Sequence, residues 1–114
     1  MYLESNNKLQ LKNREKKNIL FCFDEKEIEK DGNILFTYEA IRVPLTYNYA
    51  ILVSTIIKEK YSDDKMQAII NNYLMDITDT EHKQEFIDMQ QWRAHAKEIA
   101  KEIINNNNTE TNIL

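Results

Sequence analysis

Two apolar runs near the start of the chain have the composition of strands. Ile19-Leu20-Phe21-Cys22-Phe23 is short and aromatic-rich, and Ile34 to Val43 is longer and dominated by β-branched and aromatic side chains. A charged stretch between them ends in Asp31-Gly32-Asn33. Gly32 is the only glycine in the sequence and takes a positive φ without steric cost, so a turn there folds the two runs into an antiparallel pair. Along the second run, Leu35, Thr37, Glu39 and Ile41 share one side, and Ile34, Phe36, Tyr38, Ala40 and Arg42 share the other. Neither side is cleanly polar. One is expected beneath helices and the other beneath a partner or the N-terminal arm. Pro44, which lacks an amide donor, ends the strand.

After Pro44 the period changes. With Thr46 as N-cap, a first helix is expected over 47–60, placing Tyr49, Ala50, Leu52, Val53, Ile56 and Ile57 on one side. Residues 49–57 are also rich in β-branched side chains, so a strand remains an alternative there. Ser62-Asp63-Asp64 reads as a cap followed by acids suited to a helix dipole. It opens a second helix over 63–74 that buries Met66, Ile69, Ile70, Tyr73 and Leu74, followed by a polar link from Asp76 to Thr80. A third and longest helix is expected over 80–104, with Thr78 and Glu81 at capping-box spacing. Its residues Phe86, Met89, Trp92, Ala96, Ile99, Ala100 and Ile103 fall within about 140° of one another at helical spacing, a core-facing stripe. The predicted fold class is therefore α+β: an N-terminal antiparallel β-hairpin followed by three α-helices. Residues 1–17 are expected as a flexible basic arm with a faint strand signal at Leu9 and Leu11. Residues 18–104 are expected as one domain, and the Asn-rich segment 105–114 as a disordered tail.

At 114 residues, with 42% hydrophobic and 30% charged, the chain suits one compact domain. No apolar run approaches the roughly 20 residues that span a bilayer, and the N-terminus lacks a secretory signal pattern. The net charge of −4 is uneven: residues 1–17 hold five basic and two acidic residues, a balance of +3 that leaves −7 elsewhere. Cys22 is the single cysteine, which suits a reducing compartment and reads as a small buried hydrophobe.

Little chemistry can be assembled from this inventory. His82 and His95 lie about 220° apart around one helix and cannot share a metal. One glycine excludes a Walker or Rossmann phosphate loop. Ser5, Ser54 and Ser62 lack a nucleophile-elbow context, and the acid pairs sit at turns and helix starts. No catalytic residue, cofactor or metal is expected. Arg93, Lys97 and Lys101 form a basic column beside Glu98 and Glu102. With the basic arm, this column supports an alternative reading as a small nucleic-acid-binding regulator. Asp63 and Asp64 stand where DNA would approach the second helix, and they disfavour that reading. Tyr38, Tyr47, Tyr61, Tyr73, Trp92, Arg93 and Lys97 are the candidate protein-interface residues, because aromatic residues and arginine concentrate binding energy at interfaces. Trp92 is equally suited to anchoring the domain's own core, with Arg93 at its rim.

Three stretches carry a resemblance: Arg42-Val43-Pro44-Leu45-Thr46-Tyr47; Ile56 through Asp64; and Glu85-Phe86 through Gln91-Trp92-Arg93-Ala94-His95-Ala96-Lys97. Over residues 34–104 the sequence resembles small uncharacterised structural and tail-assembly proteins of phages and prophages of gut bacteria. That resemblance implies a non-enzymatic virion or assembly component, found in the virion or the bacterial host cytoplasm. Its implied partners are other phage structural proteins or further copies of the chain, rather than a membrane or a small-molecule substrate.

Overall fold

A computed structural model describes the backbone of residues 1–113 and the side chains of residues 1–106. Most of the tail expected over 105–114 lies outside the described side chains. The fold is α+β. Among the described residues it comprises β1 (Tyr2–Ser5), β2 (Lys12–Arg14), β3 (Asn18–Lys30), β4 (Asn33–Pro44), α1 (Tyr49–Lys60), α2 (Asp63–Met75) and α3 (Thr80–Ile113). The chain divides into two compact units, Met1–Ile51 and Leu52–Leu114.

The first unit is an antiparallel sheet in the order β1-β4-β3-β2. The expected hairpin is its centre, but the sheet has four strands, not two. Asp31 and Gly32 both have positive φ, 53° and 80°, between the paired residues Lys30 and Asn33. That is the signature of a two-residue hairpin turn whose twist matches the flanking strands. This tight turn extends pairing through the charged stretch, so β3 runs to Lys30 with Glu27 opposite Phe36 and Glu29 opposite Ile34. A bulge between Phe23 and Lys26, with Asp24 at φ 52°, absorbs one extra residue and keeps Phe23 and Lys26 on the same face.

Residues 1–17 supply both edge strands. β1 pairs with β4 and β2 with β3, and residues 6–11 connect the two edges. The strand signal at Leu9 and Leu11 is displaced: Leu9 lies in this connection and packs on a cluster formed by Cys22, Tyr38 and Ala40. Met1, Leu3, Leu20 and Phe36 complete that cluster. The N-terminal segment is the cover for this face of the sheet. On the opposite face Ile19, Phe21, Phe23, Ile41 and Val43 are buried, and the Tyr47 ring meets Phe21 edge-on at 5.2 Å.

The helical assignment of residues 49–57 holds, and the strand alternative falls. The cap is Asn48 rather than Thr46: its Oδ1 accepts from the Ile51 amide at 2.8 Å. Ser62 caps α2 as expected, accepting from the Lys65 amide at 3.1 Å. For α3 the cap is Asp79, which accepts from the His82 amide at 3.0 Å. Thr78 lies one residue outside that cap, with its hydroxyl and amide both donating to Asp76 instead. The second unit buries Leu52, Ile56 and Ile57 of α1, Ile69 of α2, and Met89, Trp92, Ala96, Ile99, Ala100 and Ile103 of α3. The predicted α3 stripe is thus in place, with Phe86 half-buried at its start and stacked on Tyr73 at 4.5 Å.

Trp92 joins α1 to α3. Its indole N–H donates to the Ile56 carbonyl at 3.1 Å, and the Lys60 ammonium sits 3.9 Å from the ring centroid. A Trp92→Phe substitution keeps most of the apolar volume but removes the donor, and should cost about 1–2 kcal/mol. Trp92→Ala should cost about 3–5 kcal/mol. Urea denaturation followed by circular dichroism reads both.

Candidate protein-binding surface

The seven candidate interface residues do not form one surface. Tyr38 is only 3% exposed, inside the first unit's cluster, and Trp92 is buried in the second unit. Tyr47, Tyr61, Tyr73 and Arg93 are half-buried, and Lys97 is exposed. Each tyrosine has a local packing reason: Tyr47 against Phe21, Tyr73 against Phe86, and Tyr61 beneath the Lys65 ammonium at 5.2 Å. Burial, followed by the nearby Asp88 and Glu85 carboxylates, raises the Tyr61 pKa.

The bulge organises the polar chemistry of the first unit. The Tyr38 hydroxyl donates to a Glu25 carboxylate oxygen at 2.6 Å and accepts from the Leu9 amide at 2.8 Å. Lys8 approaches the other Glu25 oxygen at 3.7 Å and lies 5.8 Å from the Phe36 ring centroid. Burial and the bond to Glu25 raise the Tyr38 pKa. These contacts pin the connecting segment onto the sheet, so Tyr38 holds structure in place and presents nothing to a partner. Cys22 lies in the same cluster, and burial pushes its thiol pKa up, away from the thiolate form that reacts.

The basic residues are similarly dispersed. Lys8 faces Glu25, while Lys12 and Arg14 lie on β2. The Arg93–Lys97–Lys101 column on α3 runs beside Glu98 and Glu102, and His95 Nδ1 is 4.0 Å from the Glu98 carboxylate. Among the described residues, no three His, Cys, Asp or Glu side chains are grouped to hold a metal, and no helix is long and apolar enough to cross a membrane.

The most conspicuous exposed apolar surface is a feature that sequence reasoning missed. At the turn between α2 and α3, Leu74, Met75 and Ile77 are 68%, 87% and 61% exposed. Leu74 was expected in the core of α2. The buried centre of that helix is Ile69, and at 100° per residue Leu74 and Met75 lie about 140° and 120° to either side of it. A count of angles from Ile69 could have found them. Asp76 fixes the turn that carries them. Its carboxylate accepts from the Thr78 amide at 3.0 Å and hydroxyl at 2.5 Å, and the Asp79 amide donates to the Asp76 carbonyl at 3.2 Å. These bonds to Thr78 hold the Asp76 pKa below the ordinary carboxylate value. The knuckle is therefore two exposed apolar side chains at the end of α2, Leu74 and Met75, and a third, Ile77, in the hydrogen-bonded turn that follows, with Asp76 between them and Asp79 and Glu81 just beyond. Apolar surface held out in this way is the usual mark of a binding site on a small protein.

Two outcomes follow from this geometry. Tyr38→Phe removes a donor to a carboxylate and strands the Leu9 amide, and should lower stability by about 1–2 kcal/mol in urea denaturation. The same change should speed labelling of Cys22 by a thiol reagent relative to the wild type, in which the side chain is buried. For Asp76 the folded pKa is the lower one, so its contribution is complete above the ordinary carboxylate range and is lost as pH falls through the folded value. The difference in Tm between wild type and Asp76→Ala should accordingly shrink from about pH 5 to pH 2 in scanning calorimetry. No family model, curated protein or solved structure matches this chain.

Proposed function

We propose that this protein is a non-enzymatic assembly protein of the phage structural class, acting by contact with other virion proteins through the α2–α3 knuckle. The observation that carries the reading is the exposure of Leu74 and Met75 at the end of α2 and of Ile77 in the hydrogen-bonded turn that follows. Leaving three large apolar side chains in water forgoes several kcal/mol of burial, and a partner surface recovers it. A turn tied by Asp76 and Thr78 loses little entropy on docking, which favours affinity. The partner that fits has an apolar depression with a basic rim, matching Asp76, Asp79 and Glu81. The virion context comes from the sequence resemblance over residues 34–104.

The test uses particles and assembly intermediates purified from cells that make the chain. Mass spectrometry should find wild-type protein in them. Met75→Glu and Leu74→Glu should abolish that association while shifting stability by less than about 0.5 kcal/mol, since both side chains are exposed. A protein absent from particles, or Glu variants that associate as well as wild type, would defeat the proposal.

A further inference from the structure

The sheet of the first unit has two open edges, β1 and β2, with which no other strand among the described residues pairs on the outer side. Open edges invite a further strand unless they are guarded. Their chemistry is opposite. The one charged side chain of β1, Tyr2-Leu3-Glu4-Ser5, is the Glu4 carboxylate, which accepts from the Tyr2 hydroxyl at 3.2 Å, with the Met1 ammonium just before the strand bonded inward to the Ala40 carbonyl; β2, Lys12-Asn13-Arg14, carries two cationic side chains and no anionic one. We infer that a second copy of this chain docks head-to-tail, its β2 adding to the open edge of β1 and continuing the sheet from one copy to the next. This rests on the assembly-protein reading and deepens it by naming one partner, the chain itself.

Strand direction permits the addition. Every neighbouring pair in β1-β4-β3-β2 is antiparallel, so with four strands the two edges run in opposite directions. A copy set beside β1 without flipping therefore presents its β2 antiparallel to β1, with the faces of both sheets aligned. The side chains agree as well. Tyr2 and Glu4 lie opposite Glu39 and Thr37, on the face that also carries Ile41 and Val43. Lys12 and Arg14 lie opposite Phe21 and Ile19, on that same face.

One register satisfies these constraints together. With Glu4 opposite Lys12 of the second copy, Tyr2 falls opposite Arg14 and Leu3 opposite Asn13. This creates an ion pair and an arginine over an aromatic ring on one face, and uses all of β2. The backbone fits too. The Met1 ammonium donates to the Ala40 carbonyl at 2.6 Å and the Ala40 amide donates to the Met1 carbonyl at 2.7 Å, so by alternation the amides and carbonyls of Tyr2 and Glu4 point away from β4. Cys22 donates to the Leu11 carbonyl at 2.9 Å, so those of Lys12 and Arg14 likewise point outward. The proposed pairs are thus hydrogen-bonded pairs on both sides. Like-with-like pairing is the poorer choice for β2, where Lys12 and Arg14 would meet their own copies. The contact is heterologous, so it propagates beyond a dimer unless a ring closes.

Disulfide trapping tests the register in the full chain. Tyr2→Cys and Arg14→Cys place thiols at opposed, exposed positions on the two edges. Those positions are three strand spacings apart within one copy, at least roughly 14 Å, and offset along the strands as well, too far for an internal bridge. Under mild oxidation an equimolar mixture of the single variants should give a heterodimer, and the double variant a ladder of dimers, trimers and higher species. Wild type, with Cys22 buried, should give none. In sedimentation velocity, Glu4→Lys should weaken self-association about fivefold, and Glu4→Lys with Lys12→Glu should restore it. The inference is overturned by an absence of ladder together with a monomer at all concentrations, by a dimer from Tyr2→Cys alone, or by charge exchange that fails to restore association. Met75→Glu should leave the ladder intact, so loss of edge pairing and loss of knuckle binding are separate results.

Discussion

The register of β3 on β4 is the constraint on which the first unit depends. Phe21 opposite Ile41 and Cys22 opposite Ala40 place apolar side chains on both faces of a two-stranded ribbon. Such a ribbon is marginal in water on its own, and each face must find a cover. One cover is the chain's own N-terminus, whose connecting segment lays Leu9 on the Cys22–Tyr38–Ala40 cluster while its two ends pair with the sheet edges. The bulge at Asp24 and Glu25 serves the same closure. It turns Glu25 to meet the Tyr38 hydroxyl, which in turn holds the Leu9 amide.

The second unit is organised by a different device. Its α3 stripe is thin, with Ala96 and Ala100 among its buried residues, so much of the packing area falls to Met89, Trp92, Ile99 and Ile103. Trp92 combines that area with a directional bond to the Ile56 carbonyl and a cation on its ring. A residue type associated with interfaces is here used for internal docking of α1 on α3. Interface propensity is a statement about large rigid side chains with a polar tip, and a small core recruits the same property.

Surface chemistry and apolar exposure are divided between the units. The first unit has open edges whose charged side chains differ in sign, and the second has exposed apolar side chains interrupted by Asp76. Cys22 and Tyr38 of the first unit are both shifted toward their protonated forms by burial.

Local signals were legible from residues alone because they are local in cause. Asp31-Gly32 dictated the turn, Ser62 the start of α2, and the spacing from Met89 to Ile103 the buried side of α3. The alternation of Ile34 to Arg42 correctly separated the two faces of β4. Residues 1–17 were not legible as strands, since their polar sequence has no intrinsic β-preference and gains its conformation only from the edges and cluster it meets. The caps at Asn48 and Asp79 depended on which of several adjacent oxygens the backbone path brought into reach. The knuckle was hidden for a similar reason. Whether Leu74, Met75 and Ile77 are core or surface is decided by where the α2 axis ends and α3 begins, and that is set by packing between elements distant in sequence. Residue order determined which segments could be strands and helices. Tertiary structure decided which side chains meet solvent, because exposure belongs to the relative placement of elements and is carried by no single one of them.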